Sequence, residues 1–381
     1  MINKQKNIFI IANCSWYIYN FRLEFIEELH NRGYKIILIC NKDKYNKYLS
    51  RFIFRFESLF LIRGSENPLI ELITIIRILF LYLKYKPYLV HNFTIKPCIY
   101  GSLIARILNC KIIINHITGL GPSLLSSRLK IKIFNKILNP IYRFSFNNKN
   151  IVNIFHNSSD RDTFIQRNLT VLDNTFIIKG SGVDIKYFYQ KKLNEKFNNK
   201  IHILFPARII KQKGIIELLK ACKELWSQNY QFTLNIVGEI DKHNKSSLKE
   251  SNINELFNNS NIKFLGKSDN MLEVYKNTDI VVLPSWREGL SKALLESAAM
   301  SLPIITTDVP GCRDVIKNNY SGILVPLKDI KKLKSAIKNL IDNPKLAKQY
   351  GKNARKVIEK DFEVSYINNK ILNIYHEYLN N

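Results

Sequence analysis

The chain runs twice through the same alternation of short apolar stretches and amphipathic stretches of helical period, a pattern that few folds accommodate. The first pass reads NIFIIANC, a helix over FRLEFIEELHNRG, YKIILIC, LVHNF, a helix beginning near Ile99, KIIINHI and NIVNIFHNS. The second reads IHILFPARI, the helix GIIELLKACKELW, FTLNIVG, NIKFLG, the helix NMLEVYKN, DIVVLPS and SLPIITTD. Strands that alternate with helical patterns imply βαβ units and a parallel sheet, so two doubly wound α/β domains are expected. A chain of 381 residues is long enough to give each domain its own core. The polar stretch YFYQKKLNEKFNNK separates the two passes and reads as the linker, which sets the expected domains at 1–190 and 199–361.

Net charge is +27, and it is unevenly spread. From Leu72 to Ser159 there is no Asp or Glu, while Arg77, Lys84, Lys86, Lys96, Arg106, Lys111, Arg128, Lys130, Lys132, Lys136, Arg143 and Lys149 all fall there. Such a stretch presents a positive surface and calls for an anionic partner, although an AT-rich genome also enriches Lys, Ile and Asn. Two segments raise the question of a membrane. In LIELITIIRILFLYLKYKPYLV, Glu71 and Arg77 interrupt the apolar run and Lys84 ends it, so a buried helix is expected rather than a span. SLLSSRLKIKIFNKILNPIYRF reads equally well as an interfacial basic helix or as a packed surface helix ending at Pro140. Six cysteines without any C-x-x-C pair, and no His at ligand spacing, indicate neither zinc nor a disulfide framework, and no metal or cofactor is expected. The N-terminal MINKQKNIFIIANCSW has no signal-peptide pattern, so the expectation is cytoplasmic.

Chemistry concentrates between Trp286 and Asp308. DIVVLPS reads as a buried strand, and Ser291 is positioned to cap the helical pattern KALLESAAM. Glu288 then lies in the strand-to-helix turn and Glu296 inside the helix. Backbone amides near Gly289, Leu290, Ser291 and Lys292, at a helix N-terminus, suit a diphosphate, with Glu288 beside whatever it carries and Glu296 facing hydroxyls. Spacing alone is weak support, because Glu recurs at this interval on solvated helix faces. FPARIIKQKGI adds two cations, Arg208 after a strand and Lys213 before a helix, at the sheet end where ligands collect. His116 follows KIIIN at another strand end. His91 and Lys96 share the stretch LVHNFTIKP.

The string PSWREGLSKALLESAAMSLPIITTDVPGCRDVI resembles the signature of the retaining family 4 glycosyltransferases of GT-B fold, particularly the bacterial enzymes that extend lipid-linked oligosaccharides and surface polysaccharides, including polyprenyl-diphosphate-sugar N-acetylgalactosaminyltransferases. The resemblance runs from WYIYNFR through HNFTIKP, NHITGLG and FPARIIKQKG to GILVP. It implies two Rossmann-like domains facing a cleft, with 362–381 crossing back to the first. It also implies that Glu288 contacts the donor sugar, Glu296 the ribose, Arg208 and Lys213 the leaving diphosphate, and that His116 lies beside the reacting bond. In this family the position of His91 fits an acceptor-side or loop-ordering role as well as a packing one, and Lys96 could then contact an acceptor phosphate. Two departures bear on substrate choice. CSWYIYNFR lacks the Gly-Gly pair of many relatives, and VGEID has Glu239 where a second Gly is frequent.

The expected activity is retaining transfer of an N-acetylhexosamine from a UDP-sugar to a polyprenyl-diphosphate-linked saccharide, by an enzyme peripheral to the cytoplasmic face of an anionic inner membrane. A non-hydrolysing UDP-sugar 2-epimerase shares the fold and is the rival within enzymes. Net charge alone suggests a nucleic-acid-binding or DNA-modifying protein, but no nucleic-acid motif or aromatic stacking platform accompanies it, so no nucleic-acid partner is expected.

Overall fold

A computed structural model describes residues 7–62, 67–120, 139–189, 201–241, 246–248 and 259–380. The chain divides into two compact units, Met1–Ser181 with Ile367–Asn381, and Gly182–Tyr366. Most of the linker stretch, 190–200, and most of the basic segment, 121–138 with Arg128, Lys130, Lys132 and Lys136, lie outside the described residues.

The N-terminal unit is built on β1 (Asn7–Cys14), α1 (Ser15–Asn31), β2 (Lys35–Asn41), the short α2 (Asn46–Leu49), β3 (Arg55–Ser58), α3 (Pro68–Tyr85), β4 (Leu89–Phe93), α4 (Ile95–Ile107), β5 (Ile112–Ile117), β6 (Ile151–Phe155), α5 (Ser158–Gln166) and β7 (Thr175–Ile177). Its seven strands are ordered β3-β2-β1-β4-β5-β6-β7, every pair parallel. Central strands covered on both faces have to be apolar along their whole length, and β4, β5 and β6 are buried at every position. Three of their polar exceptions, the asparagines, pair with one another. Asn92, Asn115 and Asn153 stand opposite each other in register. Asn92 Nδ2 donates to Asn115 Oδ1 at 3.0 Å, and Asn115 Nδ2 to Asn153 Oδ1 at 3.2 Å. These bonds offset much of the desolvation cost of burying the amides, although Asn92 Oδ1 itself is buried without a hydrogen-bond partner.

The second unit contains β8 (Ile201–Pro206), α6 (Ile215–Ser227), β9 (Phe232–Val237), β10 (Ile262–Gly266), α7 (Met271–Lys276), β11 (Ile280–Leu283), α8 (Lys292–Ala299), β12 (Ile304–Thr307), β13 (Ile323–Val325), α9 (Ile330–Asp342) and α10 (Pro344–Asp361). Its parallel strands run β10-β9-β8-β11-β12-β13. In both sheets the strand order reverses beside the first strand, at β1/β4 and at β8/β11. A doubly wound sheet opens a crevice at that reversal, outside the carboxyl ends of the strands.

Two sequence expectations change. Gly182–Tyr189, assigned above to the first domain, belongs to the second unit, as do 362–366. Val183 bridges to Glu363, Val183, Phe188 and Phe362 lie in that unit's core, and Arg355 donates to the carbonyls of Ile185, Phe188 and Ala299. Polarity marked where the chain leaves the packed region but not which core the preceding turn joins. The last helix, α11 (Val364–Asn380), supplies Ile367, Ile371, Leu372, Ile374 and Tyr375 to the core of the N-terminal unit. The second change is α3. It is a helix, but only Thr74, Ile78, Leu81 and Tyr82 are buried, while Leu69, Leu72, Ile73, Ile76, Phe80 and Leu83 are exposed.

Candidate active site

In the second unit the loops that leave β8 and β11 at the sheet's reversal are fastened together. Gly214 adopts φ +77°, and a Cβ there would come within 2.0 Å of the Pro284 carbonyl oxygen, so only glycine lets these two backbones meet. Trp286 N donates to the Gln212 carbonyl at 2.8 Å, and its indole Nε1 to Glu217 Oε1 at 3.1 Å. Lys328 Nζ sits 3.8 Å over the Trp286 ring. These contacts bring Lys213 to Glu288, with Nζ 2.5 Å from Oε1, and the same carboxylate oxygen accepts from Ser285 Oγ at 2.6 Å. From the other side, Gly311 at φ +79° packs against the Glu288 and Gly289 carbonyls, where a Cβ would lie 2.4 Å from the Glu288 oxygen.

Directly after this turn α8 begins. Ser291 is its N-cap, accepting from Leu294 N at 3.4 Å. The helix therefore directs its positive end at the loop that carries Glu288 and Gly289, as anion binding requires. Glu296 is buried on α8, accepts from the Tyr275 hydroxyl at 2.9 Å and lies 3.6 Å from Lys292 Nζ. Burial pushes its carboxyl above the usual carboxylate range, against the opposing pull of Lys292 and Tyr275. Arg208 is half-buried and pairs with Asp241 at 2.5 Å. Thus Glu288, Lys213, Arg208 and the start of α8 belong to adjoining loops at one sheet end, and both cations are already ion-paired. A diphosphate arriving there would meet Lys213 and Arg208 only by competing with Glu288 and Asp241.

In the N-terminal unit, His116 is the penultimate residue of β5 and is fully buried. Arg22 Nη2 lies 3.0 Å from His116 Nε2, which is in turn 3.1 Å from His156 Nε2, and the same Nη2 reaches the Gly180 carbonyl at 3.5 Å. Arg22 is 2% exposed, its guanidinium stands 5.0 Å over the Phe93 ring, and none of the hydrogen-bond partners just named is a carboxylate. Arginine only donates, so His116 Nε2 is the acceptor and its proton resides on Nδ1. Burial, with Arg22, His156 and His91 adding, holds the His116 pKa well below the ordinary histidine value; His156 is lowered to about 3, again by burial first and Arg22 second. Both imidazoles are neutral at neutral pH.

The remaining expectations fare differently. His91 is buried, stacks on Phe93 at 4.1 Å and places Nδ1 3.0 Å from the Tyr375 hydroxyl of α11. Lys96 Nζ is held by Glu71 Oε1 at 2.6 Å and the Ile62 carbonyl at 2.9 Å. Its charge is neutralised locally, at odds with an acceptor phosphate contact. Several residues escaped the sequence reading: Ser285, Trp286, Asp241, His156 and Arg22. Arg22 left a signal, since it interrupts the otherwise apolar buried stripe Ile18, Phe25, Ile26, Leu29 of α1.

Residues 188–357 match the family described as glycosyl transferases group 1, and residues 7–157 match glycosyl transferase 4-like. The chain is 27% identical over 319 residues to the capsular polysaccharide biosynthesis glycosyltransferase CapM of Staphylococcus aureus, covering 81% of this chain and 82% of the relative. It is 26% identical to the N,N'-diacetylbacillosaminyl-diphospho-undecaprenol alpha-1,3-N-acetylgalactosaminyltransferase of Campylobacter jejuni, across 88% and 90% of the two chains. It is also 26% identical to the UDP-Gal:alpha-D-GlcNAc-diphosphoundecaprenol alpha-1,3-galactosyltransferase of Escherichia coli, across 93% and 92%. Among solved structures, the sucrose-phosphate synthase of Thermosynechococcus elongatus superposes with TM-score 0.79 at 19% identity, over 98% of this chain and 99% of the other, a likeness of fold. The epimerase and nucleic-acid readings find no support among these similarities.

Proposed function

The chain belongs to the group 1, GT4-like glycosyltransferases of GT-B fold, and from that premise we propose that it transfers an N-acetylhexosamine from a UDP-sugar to a polyprenyl-diphosphate-linked saccharide, with retention of configuration. The substrate classes rest on relatives that act on diphospho-undecaprenol saccharides and match this chain over about nine-tenths of its length. The observation that carries the site assignment is the Glu288 carboxylate held by Lys213 and Ser285 in front of the α8 N-terminus.

In this reading the donor diphosphate takes Lys213, Arg208 and the amides at Gly289, Leu290, Ser291 and Lys292 as its counter-charges. As the bond from the anomeric carbon to the diphosphate oxygen breaks, negative charge grows on that oxygen, and fixed cations and helix amides stabilise it most at that moment. Lys213 transfers part of its interaction from Glu288 to the leaving group, and Glu288 is left to accept from the donor sugar. Glu296, kept in place by Tyr275, accepts from a ribose hydroxyl. The acceptor hydroxyl attacks from the face the diphosphate leaves, forming the new glycosidic bond and passing its proton to the departing phosphate. Hence the two glutamates are not the acid and base of a glycosidase. His116, buried and held neutral beside Arg22, is unsuited to act as a general base.

An enzyme with such an acceptor works at a membrane surface. No described helix is long and apolar enough to cross one; the reading is a peripheral enzyme on the cytoplasmic face of the inner membrane, drawn there by its basic surface. The test is a panel of UDP-sugars offered with undecaprenyl-diphosphate-linked saccharides. Label moving into the organic-extractable lipid fraction from a UDP-N-acetylhexosamine supports the proposal; label appearing only in a soluble 2-epimer or a soluble glycan contradicts it.

A further inference from the structure

The N-terminal unit has a helix that is apolar on two opposite faces. On α3 the buried residues Thr74, Ile78, Leu81 and Tyr82 point into the sheet side. Leu69, Leu72, Ile73, Ile76, Phe80 and Leu83 recur at intervals of three and four and are all more than half exposed. At 3.6 residues per turn these six fall within an arc of roughly 100°, directly opposite the buried four, along about 20 Å of helix. An isolated exposed Leu or Ile is ordinary, but six aligned on one helix form a continuous apolar ridge of the kind that marks an interaction site. Phe60 and Ile62 extend the exposed apolar surface into the preceding loop, which Thr74 Oγ1 ties to the helix through the Phe60 carbonyl at 2.6 Å.

Charge identifies the occupant. Within α3 the one carboxylate, Glu71, lies away from the ridge, taken up by Lys96 Nζ at 2.6 Å and the Tyr100 hydroxyl at 2.6 Å. The ridge is flanked by Lys84 and by Arg77, which pairs with Glu57 Oε2 at 3.1 Å, with Lys86 at the helix end, and from Leu72 onward it belongs to the stretch Leu72–Ser159 that contains no acidic residue in a chain of net charge +27. A second copy of this chain would bring a like-charged surface to the contact, whereas an anionic bilayer complements it. A helix that lies in the plane of a bilayer presents an apolar stripe with cations beside it, which is what α3 offers.

We propose that α3 is the membrane-seating element of this enzyme, its Leu69–Leu83 ridge lying in the interface of an anionic leaflet while Lys84 and Lys86 meet the headgroups. The occupant follows from the lipid-linked acceptor proposed above. All of the seat but Leu69 falls within the acid-free stretch, and the ridge is defined without the segment around Arg128–Lys136.

The experiment is flotation of the full chain with phosphatidylcholine vesicles and with phosphatidylcholine–phosphatidylglycerol vesicles, no sugar present. Wild type is expected on the anionic vesicles and only weakly on the neutral ones. Leu72→Gln, Ile76→Gln and Phe80→Gln combined, all at exposed positions, should weaken anionic-vesicle binding about tenfold or more, with melting temperature and UDP binding unchanged. As a gain of signal that does not depend on loss, the indole fluorescence introduced by Ile76→Trp should be quenched by brominated lipid acyl chains. Undiminished vesicle binding by the triple variant, together with no added quenching in the Ile76→Trp variant, would overturn the proposal. So would a wild-type dimer in light scattering that the triple variant reduces to monomer while vesicle binding persists, since the ridge would then seat a second copy. Because vesicle binding is read without substrate, an α3-dependent binder that glycosylates no lipid acceptor would refute the acceptor assignment and leave the membrane seat standing.

Discussion

Lys213 and Glu288 stand 75 positions apart in sequence and 2.5 Å apart in the fold. Each was readable on its own, because a cation before a helix and a carboxylate in a strand-to-helix turn are local features. Their pairing was not, since it depends on which strands neighbour each other in the sheet; the Arg208–Asp241 and Arg22–His116 contacts escaped for the same reason. The pairing makes the glutamates separable. Glu288→Gln should lower kcat by about 100-fold with little change in KM, as expected for a group that acts on the reacting sugar. Glu296→Gln should raise the Kd for UDP in calorimetry while kcat changes little. Equal kinetics in both variants would refute the assignment. The histidine cluster carries a pH signature. Because His156 is held at about 3 in the folded chain, the unfolded chain binds more protons as the pH drops. Its contribution to stability is therefore complete above the unfolded value of about 6.5 and is lost as pH falls from there toward the folded value. The stability cost of His156→Gln in urea titrations should accordingly be largest above about pH 7 and shrink by up to about 1.4 kcal/mol per pH unit below 6.5. A cost independent of pH between neutral and mildly acidic buffer would mean that His156 is not held neutral.

At the scale of elements, the strands were legible because continuous apolar runs such as Ile112–Ile114 have one reading in a sheet covered on both faces, and the N-cap at Ser291 was legible from residue type and position. The role of α3 was not. Its hydrophobicity argued for burial, yet apolarity on two faces says only that both want covering, and only the fold decides which face the sheet covers. The linkage of the β8 and β11 loops is likewise tertiary, concentrated at Gly214. Gly214→Ala combines an unfavourable positive φ with a 2.0 Å approach to the Pro284 carbonyl, and should cost about 2 kcal/mol of stability and weaken UDP binding by moving Lys213. Chemical denaturation together with UDP calorimetry checks it; an unchanged UDP Kd would show that the loop junction does not position the donor site.

For the whole molecule, two parallel sheets, each reversing its strand order at its first strand, put the candidate donor groups at the crevice of the second sheet and the Arg22–His116–His156 cluster at a strand end of the first. That doubling was visible in the repeated strand and helix alternation; the boundary near Ser181 was not, because Gly182–Tyr189 joins the second unit through Phe188 and Arg355 rather than through any mark of composition. Net charge of +27 predicts that vesicle binding weakens as salt shortens the reach of exposed charges below about 10 Å. Binding to anionic vesicles that persists unchanged in high salt would assign the attraction to apolar insertion alone. The central claim, a retaining transfer centred on Glu288, is tested most directly by the anomeric configuration of the product. Incubated with an α-linked UDP-N-acetylhexosamine and a polyprenyl-diphosphate-linked acceptor, the enzyme should yield an α-glycosidic product in proton NMR, at a rate that Glu288→Gln reduces about 100-fold. A β-linked product, or an α-linked product formed by Glu288→Gln at the wild-type rate, would contradict it.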